Sequence, residues 1–203
     1  GLLLGRGVAR AEIRIGVIAS STGPTAAVGI PQKNTVALLP GEIGGQKIEY
    51  IVLDDASDPT SAVTNVRKLL AEHKVDALIG PTTTPAALAI LDFVAEAKTP
   101  LVTTVGSSAV IQPMDDKKKW VFKTTQSDDL IATAVLANMT ASGIRSVGFI
   151  GFNDPYGENW YKVFAPMAEQ AGIPMVASER FNRTDPSFTG PFLKLISPRP
   201  DAV

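Results

Sequence analysis

The sequence contains no cysteine and only one histidine. The lack of cysteine excludes thiolate catalysis, cysteine-ligated zinc and disulfide bonds, and it leaves the redox compartment of the protein open. The single histidine, His73, argues against a histidine-based metal site or catalytic triad. The sequence therefore predicts no metal and no cofactor, and the function has to rest on other side chains.

A strong net charge and long apolar runs are missing as well. The chain has 19 Lys and Arg residues against 20 Asp and Glu residues, a formal net charge of −1. We therefore expect neither a nucleic-acid partner nor a polybasic membrane surface. No apolar run approaches the roughly 20 residues of a transmembrane helix. At 203 residues and 45% hydrophobic, the chain can bury a sizeable core, as one domain or two small ones.

The N-terminal residues have features of an export signal. Residues 1–5 are apolar, and Ala9-Arg10-Ala11 has the small-x-small form of a signal-peptidase site. This pattern predicts that residues 1–11 are the remnant of a signal peptide and that Glu12 begins the mature protein; a cloning remnant or a chance match is the alternative. The sequence stops at residues 200–203, which resemble the entry to a strand, so we interpret it as a fragment of a longer protein.

Strand-like and helix-like segments alternate along the chain, which predicts an α/β fold with βαβ units on a parallel sheet. Short runs rich in β-branched residues predict strands at 13–19, 48–53, 77–80, 100–102, 120–123, 146–151 and 175–177. The segments between them predict helices ending near Leu39, His73, Ala97, Ala141, Gly172 and Ile196. The polar stretch 117–126 is the candidate boundary, giving a first lobe at 12–122 and a second lobe at 123–203.

Hydroxyl-rich turns follow two of the predicted strands. Pro81-Thr82-Thr83-Thr84-Pro85 comes before an alanine-rich helix, and the stretch 103–108 follows the next strand. In an open α/β sheet, ligands bind beyond the carboxyl ends of the strands, where helix N-termini also point their free N–H groups. The two turns thus predict a pocket for an anionic group, built from hydroxyls and backbone amides, with no cationic side chain needed. Thr84 is the expected N-cap of the helix, with Pro85 at its first position.

Carboxylates cluster after the second strand, at Asp54, Asp55 and Asp58. Side chains of consecutive strand residues point in opposite directions, so we expect turn formation and helix capping rather than a cation site. Asp58-Pro59 is a strong helix start. A similar helix start is expected further on, with Asp128 or Asp129 as the cap.

Four groups of residues, in this order and spacing, resemble the type I periplasmic binding proteins of ABC transporters, in the leucine/isoleucine/valine-binding branch. They are Gly23-Pro24 with Gly29, the stretch 54–59, Ile79-Gly80-Pro81, and Tyr156-Gly157-Glu158. The resemblance implies an α/β fold of two doubly wound parallel-sheet lobes joined by a hinge, with the second lobe truncated. It also implies a periplasmic monomer that captures a small carboxylate-bearing ligand and delivers it to the membrane permease of an ABC transporter.

The same resemblance assigns ligand-binding roles to five residues. It places the Thr84 hydroxyl against the ligand carboxylate, and Gly106, Ser107 and Ser108 where backbone groups and a hydroxyl complete that clamp. Tyr156 corresponds to a second-lobe aromatic residue that covers the ligand when the lobes close. From the residues alone, the two serines could instead cap a short helix, and the tyrosine could cover the core.

Departures from the family pattern leave the ligand class open. Ser57 and Thr83 stand where some members have a disulfide, and Val28 stands where a larger ligand contact is common. The acidic residue that pairs with the ammonium of an amino-acid ligand would lie beyond residue 203. Amino acids, aromatic acids, amides and urea are therefore all candidates.

Two other classes of protein can be built on a doubly wound α/β fold. An enzyme on a doubly wound fold is disfavoured, because the chain has no G-x-G-x-x-G motif after strand one, no P-loop and no G-x-S-x-G elbow. A ligand-sensing domain of a receptor or regulator would share the fold and the pocket, and it stays the alternative to a free binding protein.

Overall fold

The computed structural model describes residues 12–203, and the predicted signal-peptide remnant lies outside them. Eight strands and six helices follow one another along this part of the chain. The six helices and seven of the strands correspond to predicted segments, and the short strand Glu42–Ile43 was not predicted. In chain order the elements are β1 (Ile13–Ala19), α1 (Ala26–Val36), β2 (Glu42–Ile43), β3 (Gln46–Asp54), α2 (Pro59–Ala71), β4 (Ala77–Ile79), α3 (Thr84–Ala97), β5 (Leu101–Thr103), β6 (Val121–Lys123), α4 (Asp128–Ala141), β7 (Val147–Phe152), α5 (Pro155–Gln170), β8 (Met175–Phe181) and α6 (Thr189–Ile196).

The strands form two sheets. Six strands pair in the order β2-β3-β1-β4-β5-β6, all parallel except for the β2–β3 hairpin, and β7 pairs with β8 in a parallel two-stranded sheet. We call the six-stranded sheet with α1–α3 the first lobe, and the β7–β8 sheet with α4–α6 the second lobe. Since β6 pairs with β5, the predicted boundary at 122/123 falls within a strand of the first lobe.

Each lobe has its own apolar core. In the first lobe, α2 and α3 pack on β1 and β4 through fully buried residues such as Val66, Leu69 and Ile90. Burying each such side chain contributes about 1.5–3 kcal/mol. In the second lobe, Leu136, Val147 and Phe164 belong to a separate cluster. The two cores hold the strand ends in fixed positions. No helix of the described chain is long and apolar enough to cross a membrane.

Asp58 is the N-cap of α2, which confirms the sequence prediction. Its carboxylate accepts hydrogen bonds from the backbone amides of Ser61, at 3.2 Å, and of Thr60. The same two hydrogen bonds hold the pKa of Asp58 below its ordinary value. The ionised form of this side chain therefore stabilises the start of α2.

We expect Asp58→Ala to lower the melting temperature at neutral pH, because two amides at the start of α2 lose their acceptor. The folded-state pKa lies below the unfolded-state value, so the contribution of Asp58 exists above a pH of about 4 and is lost as the pH falls further. The difference in melting temperature between the variant and the parent should therefore become smaller below a pH of about 4. Asp116→Ala is the control, since the Asp116 side chain is 97% exposed. Equal melting temperatures for Asp58→Ala and the parent at neutral pH would contradict the capping role.

Candidate functional site

A cleft of about 280 Å³ lies at the carboxyl ends of the first-lobe strands and faces the second lobe. Three of the five predicted ligand contacts, Thr84, Gly106 and Tyr156, line it, whereas Ser107 and Ser108 do not. The full lining consists of Thr25, Val28, Thr82, Thr83, Thr84, Thr104 and Gly106 from the first lobe, and Phe152, Tyr156 and Arg183 from the second. The cleft is thus rich in hydroxyls on one side and in aromatic rings on the other.

Thr84 has a buried hydroxyl that is available to a ligand. The expectation that Thr84 caps α3 is wrong. The N-cap is Thr83, whose backbone is extended and whose side chain accepts from the amide of Ala86 at 3.4 Å, while its carbonyl accepts from Ala87. The amides of Ala86 and Ala87, which the sequence leaves open to an anion or to Thr84, are therefore engaged by Thr83. Thr84 becomes the first helical residue and Pro85 the second, a position that also tolerates a missing N–H.

The Thr84 side chain is 2% exposed, and its Oγ1 has no hydrogen-bond partner within residues 12–203. A buried polar atom without a partner costs about 1–3 kcal/mol. Such a cost at the wall of a cleft is removed when a ligand atom supplies the missing hydrogen bond. The Thr84 hydroxyl therefore contributes no hydrogen bond to the described part of the fold.

The other first-lobe hydroxyls of the cleft are occupied by the protein itself. Thr82 Oγ1 accepts from the amide of Ser20 at 2.8 Å and donates to Gln32 Oε1 at 2.6 Å. Gln32 Nε2 in turn donates to Thr104 Oγ1, which donates to the Pro81 carbonyl. This chain of hydrogen bonds fixes the turns after β1, β4 and β5 relative to one another. It explains why Thr84, and not Thr82 or Thr104, is free.

Tyr156 closes the cleft against Gly106. A Cβ atom at Gly106 would lie 3.0 Å from Tyr156 Cε2, so a larger residue would push the ring back by a few tenths of an ångström. Tyr156 is held at the start of α5 by Asp154, whose Oδ1 accepts from the amides of Tyr156 and Gly157 at 2.9 and 3.1 Å. The two predicted contacts thus meet across the cleft.

Ser107 and Ser108 lie behind the cleft, and their hydroxyls are used within the protein. Ser107 is buried, and its hydroxyl accepts a hydrogen bond from the amide of Ala109. Ser107 thereby caps the short 3-10 helix Ser108–Val110. Ser108 donates to Asp128 Oδ2 through its amide at 2.8 Å and through its hydroxyl at 3.2 Å. The same carboxylate oxygen accepts from Asn159 Nδ2 of α5. Ser108 therefore joins the first lobe to the second.

Asp128 is fully buried and lies in the first turn of α4, not at the cap position, which belongs to Ser127. The expectation that Asp128 or Asp129 caps this helix is therefore wrong. The second oxygen of Asp128, Oδ1, has no hydrogen-bond partner among the described residues. The sequence placed this carboxylate in the correct turn but did not reveal its contact with Ser108, 20 residues earlier.

Arg183 is a cleft residue that the sequence analysis did not identify. Its Nε donates to Asp154 Oδ2 at 2.6 Å, and its guanidinium lies 3.9 Å from the ring centroid of Phe152 and 5.8 Å from that of Tyr156. The pocket expected from the sequence needed no cationic side chain, and the structure adds Arg183 to its lining. Arg183 lies just after β8, which extends to Phe181. The strand predicted at 175–177 ended too early to place Arg183 at a strand end, so nothing in the sequence indicated its role.

The acidic turn after β3 supports the loops beside the cleft. Asp54 accepts from the Thr22 hydroxyl at 2.7 Å, and Asp55 accepts from the Ser20 hydroxyl at 2.6 Å. Burial raises the pKa of Asp55, against the opposing effect of hydrogen bonds from Ser20 and Ser57. No group of three acidic, histidine or cysteine side chains within residues 12–203 could hold a metal ion. The turn-forming role predicted for these carboxylates is confirmed.

The fold and the cleft define a two-lobed ligand-binding protein, and comparison with known proteins identifies its family. Residues 12–203 match the family model described as periplasmic binding protein, so the chain belongs to this family. It is a type I periplasmic binding protein of the kind found with ABC transporters, and its curated relatives include two that are named Leu/Ile/Val-binding proteins.

Individual relatives agree with this assignment. An extracellular ligand-binding receptor from Rhodopseudomonas palustris is 50% identical and superimposes with a TM-score of 0.92, over 95% of this chain and 54% of that chain. A Leu/Ile/Val-binding protein of Rhizobium johnstonii is 25% identical over 97% of this chain and 54% of its own length. A solute-binding protein of an ABC transporter from Rhodopseudomonas palustris, solved with 3,4-dihydroxybenzoic acid, is 22% identical over 95% of this chain and 54% of that chain, with a TM-score of 0.85, and shares the fold. The chain spans about half the length of the relatives it matches.

Proposed function

We propose that this chain forms the ligand-capturing cleft of an exported solute-binding protein. The protein captures a small carboxylate-bearing ligand between its two lobes in the periplasm and, as a monomer, delivers it to the membrane permease of an ABC transporter. The family and the relatives, which are binding proteins and receptors, support this proposal. The volume of the cleft lies at the small end of the range for ligand pockets, which favours a ligand of about the size of an amino acid or a benzoate.

One observation carries the proposal, namely the unpartnered Thr84 hydroxyl at the wall of the cleft. A carboxylate oxygen is a strong acceptor for this group, and a hydrogen bond to a charged acceptor contributes about 1.5–3 kcal/mol. The site sits at the N-terminus of α3, where the helix dipole also favours a negative charge. Thr84, Gly106 and Tyr156 are the contacts that the geometry supports best.

Closure of the lobes links ligand binding to a change in the shape of the protein. Tyr156, carried by the second lobe, lies against Gly106 of the first, so a bound ligand would be covered and its water displaced. A ligand that contacts both lobes stabilises the closed arrangement in proportion to its differential affinity for that state. A permease that contacts both lobes can then distinguish the occupied protein from the empty one.

A thermal-shift screen of the complete gene product tests this function. The probes are benzoate, 4-methylpentanoate, L-leucine, benzamide and urea, with benzamide as the neutral counterpart of benzoate. We expect a saturable rise in melting temperature with at least one carboxylate, since a ligand at 100 times its Kd stabilises a protein by about 2.7 kcal/mol. No response to any carboxylate, or an equal response to benzamide and benzoate, would overturn the carboxylate-binding function.

Ser108→Ala tests whether Ser108 contacts the ligand or supports the cleft. Because the Ser108 amide still bonds to Asp128 in this variant, we expect the affinity of the complete gene product for its best carboxylate to fall only about twofold to fivefold. Ser107→Ala should behave similarly, because the hydroxyl of Ser107 caps a turn behind the cleft. Titration calorimetry measures the affinity of each variant for the carboxylate. A loss as large as that caused by removing the Thr84 hydroxyl would show that the ligand replaces Asp128 as the partner of Ser108.

A further inference from the structure

We propose that the buried carboxylate of Asp128, with Ser108 and Asn159, forms a latch that favours the closed arrangement of the lobes and sets the affinity of the cleft without contacting the ligand. This inference rests on the proposed function and adds positioning residues to it. Three observations carry it: the hydrogen bonds that Asp128 accepts from both lobes, its burial, and the position of these bonds behind the contact between Tyr156 and Gly106.

Three donors converge on one oxygen of Asp128, Oδ2. Ser108 of the first lobe donates through its backbone amide at 2.8 Å and through its hydroxyl at 3.2 Å. Asn159 of α5, in the second lobe, donates through Nδ2. Asp128 itself lies in the first turn of α4, which also belongs to the second lobe. The two bonds from Ser108 therefore cross between the lobes, and the bond from Asn159 orients the carboxylate for them.

The burial of Asp128 makes these hydrogen bonds important. Asp128 is fully buried, and a carboxylate that is withdrawn from water is unstable unless hydrogen bonds replace those that it made with water. Hydrogen bonds to a charged acceptor are also stronger than those between neutral groups. Separating the lobes exchanges two of the three donors to Oδ2 for water, so the net contribution of the latch is modest and favours the closed arrangement.

The latch and the cover of the cleft are built from the same two segments of the chain. In the first lobe, Ser108 follows Gly106 by two residues. In the second lobe, Asn159 follows Tyr156 by three residues on α5, so both side chains lie on the same side of this helix. Tyr156 contacts Gly106 on the cleft side, and the latch lies behind that contact. A movement of α5 that lifts Tyr156 from Gly106 therefore also acts on the latch.

Asp128 moves with α5, because α4 and α5 share the buried core of the second lobe. The chain crosses from the first lobe directly before Asp128. Lys123, at the end of β6, donates through Nζ to the carbonyls of Thr125, at 3.0 Å, and of Gln126. The crossing thus lies between Gln126 and Asp128, so a rotation of the lobes there shifts Asp128 relative to Ser108. Hydrogen bonds of 2.8 and 3.2 Å are lost when donor and acceptor move apart by about 1 Å.

The latch changes the affinity through the population of the closed state. A ligand that contacts both lobes binds to the closed arrangement, and its apparent affinity falls with the fraction of the protein that is closed. Asp128 does not line the cleft, so weakening the latch should lower the affinity for every ligand by the same factor. Asp128→Asn keeps the shape of the side chain and replaces a charged acceptor by a neutral one. We expect this variant to bind its ligands about 10-fold more weakly.

Small-angle X-ray scattering and titration calorimetry on the complete gene product test the latch. Without ligand, Asp128→Asn should have a larger radius of gyration than the parent. With benzoate, 4-methylpentanoate and L-leucine as probes, those that bind the parent should all lose affinity by a common factor. An unchanged ligand-free radius of gyration, or a loss that differs tenfold between probes, would overturn the latch and leave the carboxylate-binding function intact. If no probe binds the parent, that function fails, and the scattering measurement alone decides the latch.

Asp129→Asn is the matched control, because it removes the same charge from the adjacent, exposed residue of the same helical turn. It should keep the parent's radius of gyration and affinities, and an effect equal to that of Asp128→Asn would refute the latch.

Asn159→Ala is a second variant that serves if Asp128→Asn folds poorly. It removes the second-lobe donor and keeps the carboxylate of Asp128. We expect a larger ligand-free radius of gyration and a twofold to fivefold loss of affinity, about the effect of one hydrogen bond. Parental values of both quantities would show that the lobes close without the latch.

Discussion

Replacing Thr84 with valine is expected to weaken carboxylate binding about 10- to 100-fold while leaving the ligand-free protein at least as stable as the parent. Valine has the shape of threonine without the hydroxyl, so the packing of this 2% exposed side chain is kept. The variant loses a hydrogen bond to a charged acceptor, worth about 1.5–3 kcal/mol. It also loses a buried polar atom that has no partner in residues 12–203, which removes a cost of about 1–3 kcal/mol.

Thr82→Val is the matched control for this prediction. The same substitution at Thr82 breaks two hydrogen bonds, with Ser20 and Gln32, so it should destabilise the protein where Thr84→Val does not. Melting curves without ligand and titration calorimetry with the best carboxylate separate the two effects. If Thr84→Val lowered stability as much as Thr82→Val and left the affinity unchanged, the Thr84 hydroxyl would be structural.

Gly157→Ala is expected to destabilise the complete gene product by about 3 kcal/mol or more and to impair binding. A Cβ atom at Gly157 would lie 2.0 Å from the carbonyl oxygen of Phe152 and 2.8 Å from its amide nitrogen. These are backbone atoms, so α5 and the end of β7 have to move apart. Because α5 begins at Pro155 and carries Tyr156 in its first turn, the movement displaces the cover of the cleft as well.

Gly190→Ala provides the comparison, since Gly190 is also in a helix but a Cβ atom there would meet nothing within 4 Å. Alanine at this position should be neutral or stabilising by up to about 1 kcal/mol, the usual preference of a helix for alanine over glycine. Thermal melting and circular dichroism of both variants measure the difference. A melting temperature of Gly157→Ala within a degree or two of the parent would show that α5 does not need this close contact.

The features that the sequence predicted correctly depend on short stretches of chain. Alternating apolar runs placed the strands and helices, and the hydroxyl-rich turn 81–85 placed Thr84 beside the cleft because it follows β4 directly. The cap of α3 was predicted one residue too late. Proline is tolerated at the first and second helical positions alike, so Pro85 did not distinguish Thr83 from Thr84 as the cap.

The features that the sequence did not predict depend on contacts between distant residues. Arg183 lines the cleft because β8 pairs with β7 and because Asp154, 29 residues earlier, accepts its Nε–H. Ser108 is engaged by Asp128 across the lobes, and a pattern of hydroxyls at a strand end gives no information about such a partner. The hydroxyl-rich turns located much of the first-lobe wall, whereas Tyr156 of the second-lobe wall came from the family resemblance.

Asp154 has a consequence for how ligand preference could change during evolution. One of its oxygens holds the start of α5, with Tyr156, and the other holds Arg183, so one carboxylate anchors two of the three second-lobe residues that line the cleft. A mutation that exchanges Arg183 for a neutral residue leaves half of that carboxylate, with a side chain only 15% exposed, without a partner. A mutation of Asp154 itself removes both the N-cap of α5 and the ion-pair partner of Arg183. Descendants with a different preference at this wall should therefore carry paired substitutions at these two positions.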